Sequence, residues 1–485
     1  MNKAEIKLYI KDDAPEISPL IYGHFAEHIG GVIYDGIWVG KNSPLKNING
    51  VRAELIEKLR EIAPPVIRWP GGCFAETYDW RDGIGKDRPT RTSWWTSQDG
   101  LYENNEFGLH EFVEFCRLVG AEPYIAVNIT TATALDAKDL IDYCNSPRGS
   151  TALAALREKN GSPEPFDIKH FGIGNENWGG GGTMAAEQYA YEYRRFSAIV
   201  RNSAKNAKLV AGAANFHSDE WAKTFLCGLK EKYGTPPAID GASLHYYYGG
   251  DSDVEFTKEE WDKTIKSAFK IEDYLTRLEK LIAESELPQD IRIYVDEWGA
   301  MYSPTAVAKE KNQLFRQQVT MRDAVATSLT LNVFNNHAKT VEMANVAQLT
   351  NCLSSLFLTD GESFVTTPIY HVFNMYRAHM GATLVKTDCD DEGVSVSASE
   401  KDGRLLVTVA NLSADEDRLI TLGGDLTKAC GKAKITLLSS SEINDGNSFE
   451  RPNLIQPESA ECDPCSPIKL PRASVASIEI EMISA

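Results

Sequence analysis

The middle of the chain alternates short apolar runs with longer amphipathic stretches. The apolar runs fall at residues 20–25, 65–69, 123–128, 168–173, 208–213, 239–245, 291–296 and 341–346. Several are continuous β-branched runs, the pattern of strands buried on both faces in a parallel sheet. Between them, apolar positions recur with helical spacing. Residues 51–62 set Leu55, Ile56, Leu59 and Ile62 on one face, and residues 107–118 and 185–203 repeat the pattern. Eight such strands with helical regions between them predict a (β/α)8 TIM barrel rather than an open doubly wound sheet.

The texture changes after about residue 380. Residues 393–398, 404–411, 418–422 and 473–482 alternate apolar and polar positions, separated by clusters rich in Gly, Asp, Asn and Pro. This is the pattern of an antiparallel, jelly-roll-like β-sandwich. The first ten residues carry the same alternation ahead of the first barrel strand. The expected division is therefore an N-terminal strand (1–17) joining the sandwich, a catalytic barrel (18–380) and the sandwich itself (381–485).

Composition narrows the function without naming it. The 485 residues carry 69 acidic and 50 basic side chains, a net charge of −19. No stripe of Lys or Arg is set up to meet phosphates, so neither nucleic acid nor an anionic membrane is an expected partner. No apolar run approaches a membrane span, and no apolar core follows the early lysines as in a secretory signal. Nine scattered cysteines, an odd number, read as reduced thiols and a cytoplasmic protein. Cys462 and Cys465 form a lone C-x-x-C without the second pair or the histidines that a zinc site needs. No metal or cofactor is expected.

In such barrels the reactive groups sit at the C-terminal ends of the strands. Strand four ends in Gly172-Ile173-Gly174-Asn175-Glu176-Asn177-Trp178, and strand seven in Asp296-Glu297-Trp298. Two glutamates beside aromatic residues, on opposite sides of one barrel mouth, suit the retaining cleavage of a glycosidic bond. One carboxylate attacks the anomeric carbon; the other protonates the leaving oxygen and then serves as base for water. Trp178, Trp298 and Tyr246–Tyr248 offer faces for sugar rings to stack on, and Asn175 a hydrogen bond to a hydroxyl beside the reacting carbon.

At these residues the chain resembles the retaining (β/α)8 glycosidases with catalytic glutamates on strands four and seven. It is most similar to glycoside hydrolase family 51, the α-L-arabinofuranosidases. The matching stretches are IYGHFAEHIGG (21–31), VIRWPGGCFAETYDWRDGIG (66–85), FGIGNENWGGGG (171–182), SLHYYY (243–248), YVDEWG (294–299) and MANVAQL (343–349). They run through nearly the whole barrel in order. The resemblance implies Glu176 as acid/base and Glu297 as nucleophile. It implies that Glu27, Asn175, Tyr247 and Gln348 hold the arabinofuranosyl ring, with His245 and Arg68 in support. Many members carry Asn after the Pro-Gly-Gly where this chain has Cys73, which changes the hydrogen bond that position gives the sugar. Residues 88–95 resemble a loop over the leaving-group side, with Trp94 or Trp95 as a platform. The implied substrates are arabinan- or arabinoxylan-derived oligosaccharides, and the implied assembly is a homo-oligomer such as a hexamer. In this mechanism the anionic neighbour raises the pKa of the acid while Arg68 holds the nucleophile's down, which predicts a bell-shaped pH profile.

Three other readings fit parts of the chain. The same glutamate pair serves an endo-β-glucanase, a xylanase or a β-xylosidase. A non-catalytic sugar-binding barrel keeps the aromatics but has no use for both glutamates. His24-Phe25-Ala26-Glu27-His28 matches the inverted zinc-peptidase motif, which works only on a helix. Here Gly23 precedes it and Gly30-Gly31 follow, which suits a strand end and loop.

Overall fold

The computed structural model describes residues 2–214, 218–230, 237–303, 314–428 and 430–482, with the side chains of 427, 428 and 430–432 left aside. Eight parallel strands close into a barrel. In chain order they are Gly23–Phe25, Val66–Trp69, Glu122–Val127, His170–Ile173, Lys208–Ala214, Gly241–Tyr248, Arg292–Ala300 and Val341–Ala347. Each falls on one of the apolar runs of the sequence. Helices such as Ala53–Ile62, Leu109–Val119 and Ala186–Val200 bury one apolar face each against the outside of the barrel. Inside, Val66, Tyr124, Val210, Tyr294 and Met343 form a separate apolar plug. The plug seals the base of the barrel, so polar side chains collect above it at the strand ends.

The seventh strand carries the feature that shapes this mouth. Along its pairing with the sixth strand, Leu244 faces Val295 but His245 faces Glu297, which leaves Asp296 as an extra residue. A bulge of this kind breaks the in–out alternation of the strand. Asp296 and Glu297 therefore both face inward, against the guanidinium of Arg68. Trp298 then turns outward, where it is wholly buried with Phe334 and Phe373 around it. This corrects the expectation that Trp298 offers a sugar ring a stacking face. On the sixth strand the alternation is intact. His245 and Tyr247 face inward, while Tyr246 packs at a tilt against Tyr274 of an outer helix.

Apart from three two-stranded ribbons, the strands outside the barrel form a nine-stranded sheet that folds over one shared core. Ile6, Leu8 and Ile420 from one half pack with Val407, Ile478 and Ile480 from the other. Asn2–Tyr9 lies inside this sheet, antiparallel to Thr383–Cys389 and parallel to Arg418–Gly424. Helix Met321–Asn336 is buried on every face and joins barrel to sheet. Its Asn332 and Asn335 donate to Ser395 and Ser397, so the seam is polar but satisfied.

Candidate active site

Two tight turns at strand ends build the site. After the second strand, Pro70-Gly71-Gly72 brings backbone up to Glu27: a Cβ on Gly72 would lie 2.6 Å from a Glu27 oxygen. The 3-10 turn Cys73–Thr77 follows. After the fourth strand, Gly174 (φ +92°) and Glu176 (φ +42°) both adopt left-handed backbone. That conformation is costly for a residue with a Cβ and persists where the surroundings fix it. Within the tetraglycine that follows, Gly180 and Gly181 are packing requirements. A Cβ on Gly181 would sit 1.6 Å from the Asn175 carbonyl oxygen, and one on Gly180 2.7 Å from the Cys73 sulfur.

These turns bring the two glutamates together. One oxygen of Glu176, one ring nitrogen of His245 and one oxygen of Glu297 lie within 4.8 Å of one another. The His245 Nδ1 is 2.9 Å from Glu176 Oε1 and 3.6 Å from Glu297 Oε1. Arg68 donates through Nη1 to Glu297 Oε1 at 2.8 Å and through Nη2 to Asn175 Oδ1 at 2.7 Å. The Tyr247 hydroxyl donates to Glu297 Oε2 at 2.8 Å. Burial by itself raises the Glu297 carboxyl; the His245 ring, the Arg68 guanidinium and the Tyr247 hydroxyl outweigh it and hold the group below its ordinary value. The His245 imidazole shows the reverse balance: burial lowers its pKa, but the two glutamates raise it further.

Glu27 forms the far wall. Its Oε1 accepts from the Phe74 backbone and from Trp95 Nε1, both at 3.0 Å, and its Oε2 from Gln348 Nε2 at 3.3 Å. Burial first, and the Glu297 charge second, push this carboxyl up to about 7. Burial and the surrounding glutamates also push the Cys73 thiol far up, so the thiol form stands in the site. Asn175 Nδ2 is buried with no hydrogen-bond partner among the described residues. Trp95 and Trp178 are half-buried at the rim, Trp178 in the turn after Glu176. The sequence-expected residues thus converge on one mouth, except Trp298, Tyr246 and Tyr248; the two tyrosines lie on the outer side of the sixth strand and offer no stacking face there.

The zinc-peptidase reading fails on geometry. His24 lies on a strand and its ring faces Phe373 outside the barrel, with neither nitrogen partnered among the described residues. Burial lowers its pKa to about 3. His28 is engaged by Glu103 at 2.8 Å and by Trp69 Nε1 at 3.0 Å. Neither ring joins Glu27 in a shared metal position. Glu103 and Glu76 are two buried carboxylates that the sequence pattern did not single out. Glu76 lies in the 3-10 turn Cys73–Thr77 and Glu103 in the two-residue strand Tyr102–Glu103, segments too short for periodicity to mark a side chain as inward-facing.

A carboxylate pair of this spacing above a sealed parallel barrel defines a glycoside hydrolase. The chain belongs to the α-L-arabinofuranosidases of glycoside hydrolase family 51. Residues 58–265 match the family model "Alpha-L-arabinofuranosidase 1 domain", and residues 296–474 match "Alpha-L-arabinofuranosidase C-terminal domain". An intracellular exo-α-L-arabinofuranosidase of Bacteroides ovatus is 36% identical over 97% of this chain and 94% of its own length. The crystal structure of a family 51 arabinofuranosidase from Xanthomonas axonopodis pv. citri is 30% identical. It superposes over 99% of this chain and 100% of its own with a TM-score of 0.92. An α-L-arabinofuranosidase from Thermotoga maritima, solved as an arabinose complex, is 28% identical with a TM-score of 0.85, again over 99% and 100%. The endo-glucanase, xylanase and β-xylosidase alternatives are not favoured by these relatives.

Proposed function

We propose that this α-L-arabinofuranosidase releases terminal non-reducing α-L-arabinofuranosyl units by a retaining double displacement, with Glu297 as nucleophile and Glu176 as acid/base. The observation that carries the reading is the placement of the two carboxylates. Oxygens within 4.8 Å leave no room for the water that an inverting enzyme places between nucleophile and sugar. In the first step Glu297 attacks the anomeric carbon as the bond to the leaving oxygen breaks, and Glu176 gives that oxygen its proton. Arg68 and Tyr247 each bind one Glu297 oxygen, which keeps the group ionised and aimed. In the second step Glu176, now ionised, takes a proton from water as the water attacks the glycosyl–Glu297 ester.

Glu27, Cys73, Asn175, Tyr247, His245 and Gln348 are assigned to the sugar ring. Asn175 supports this best: Arg68 fixes its Oδ1, which leaves a buried N–H group directed to a ligand. Trp95 and Trp178 are assigned to the leaving-group side. Residues 18–380 carry the chemistry, and 381–485 with 1–17 support it. The Bacteroides ovatus relative is named intracellular, and we extend that placement to a cytoplasmic enzyme acting on arabinan- and arabinoxylan-derived oligosaccharides, as a homo-oligomer. The test compares aryl α-L-arabinofuranoside with aryl β-D-xyloside and aryl β-D-glucoside. The first is expected to be hydrolysed at least about tenfold faster in kcat/KM. Negligible turnover of it would overturn the assignment.

A further inference from the structure

Glu76 is fully buried, and its carboxylate is tied to the fourth strand end by two hydrogen bonds. Its Oε1 accepts from the backbone N–H of Asn175 at 2.7 Å and from Asn177 Nδ2 at 2.9 Å. Its Oε2 accepts from the backbone N–H groups of Ile129 and Thr130, at 3.0 and 2.9 Å, at the end of the third strand. The two residues held on Oε1 flank Glu176, whose own backbone is left-handed at φ +42°. A residue in that conformation needs its neighbours fixed, and here one carboxylate fixes both. The same 3-10 turn offers the Phe74 N–H to Glu27, so one loop supports opposite walls of the site.

We propose that Glu76 is a positioning residue for the acid/base: anchored by two bonds from the third strand end, its two bonds from Asn175 and Asn177 lock the Gly174–Asn177 turn and thereby aim the Glu176 carboxyl at the leaving oxygen. This rests on the assignment of Glu176 as acid/base. An acceptor-only carboxylate is required, because all four partners are N–H donors. Glutamine in its place turns an NH2 toward two of them. The turn then relaxes, and small displacements of a proton donor cost rate steeply.

The experiment compares Glu76→Gln with the native enzyme on phenyl and 2,4-dinitrophenyl α-L-arabinofuranosides. General acid help matters for the poor phenolic leaving group and little for the dinitrophenolate. With E76Q, kcat/KM is expected to fall about tenfold or more on the phenyl glycoside and less than about threefold on the dinitrophenyl one. The high-pH limb of the phenyl profile is expected to move as well. Equal losses on both substrates, or none on either, overturn the proposal, since a merely structural residue would not discriminate leaving groups. Asn177→Ala, which removes one of the four donors, is expected to show the same discrimination in weaker form and carries the test if E76Q does not fold. Glu176→Ala is run alongside. If it fails to discriminate the two substrates, the acid/base assignment itself is wrong, independently of Glu76.

Discussion

At the scale of single residues, the site is a set of carboxylates kept in different states by their neighbours. Glu297 is held ionised by His245, Arg68 and Tyr247, whereas at Glu27 burial and the Glu297 charge outweigh its hydrogen bonds and the pull of Arg68 and push it up to about 7. Glu297→Ala is therefore expected to abolish turnover of both dinitrophenyl and phenyl arabinofuranosides, while Glu176→Ala spares the former far more than the latter. Steady-state rates on the pair check this. The raised Glu27 has a consequence for stability. Its folded-state pKa lies above the ordinary carboxylate value of about 4.5. The folded protein thus binds more protons than the unfolded chain between those values, and stability falls as pH rises through that window. The full cost, on the order of 3 kcal/mol, is present above pH 7. Glu27→Gln removes the titration. The melting temperature of the variant relative to the native enzyme is expected to be more favourable at pH 8 than at pH 5, and thermal melts at both values measure it. Legibility at this scale followed position along strands. Glu176, Glu297, His245 and Tyr247 stood at strand ends, where type and neighbours exposed them. Glu76 and Glu103 sit in a 3-10 turn and a two-residue strand whose inward side is set by tertiary contacts, and nothing local in the sequence marks them.

At the scale of elements, the eight barrel strands were legible because continuous β-branched runs are what doubly buried strands require. The parity of the seventh strand was not. A bulge is one residue of slippage against a neighbour, and the sequence of Arg292–Ala300 contains no glycine or proline at Asp296 to announce it. Plain alternation from Asp296 would have put Glu297 outside and Trp298 within. The bulge reverses this, so Trp298 is core. Trp298→Phe is expected to lower stability by about 1–3 kcal/mol through lost packing. The KM for aryl arabinofuranoside should stay within about twofold, since the indole faces away from the barrel mouth. Denaturation midpoints and initial rates on the same preparation separate the two effects. In the C-terminal sheet, the alternating strands Val394–Lys401, Arg404–Asn411 and Ser474–Met482 were readable. Thr383–Cys389 and Glu458–Cys462 were not, because their outward faces are polar and their inward faces are only partly buried.

At the scale of the whole molecule, the chain's first strand closes the sheet built from its last hundred residues. Ile6 and Leu8 are completely buried there, and both edges of the strand are paired. Burial of those two side chains alone contributes about 3–6 kcal/mol. Removing residues 1–10 is expected to lower the melting temperature and expose two sheet edges to aggregation. The kcat/KM of the soluble fraction should stay near the native value, because no residue of that strand reaches the barrel mouth. Calorimetry and light scattering on the truncated chain check both statements.

That first strand also sets an order of events during synthesis. Asn2–Tyr9 leaves the ribosome long before Thr383–Cys389 and Arg418–Gly424 exist. At about 5–20 residues per second, nearly four hundred residues take roughly 20–80 s to translate. Through that interval the strand keeps two open edges, and the barrel beside it is complete only once Val341–Ala347 has been made. Its outward positions are Lys3, Glu5 and Lys7, charges that discourage stray pairing until the proper neighbours arrive.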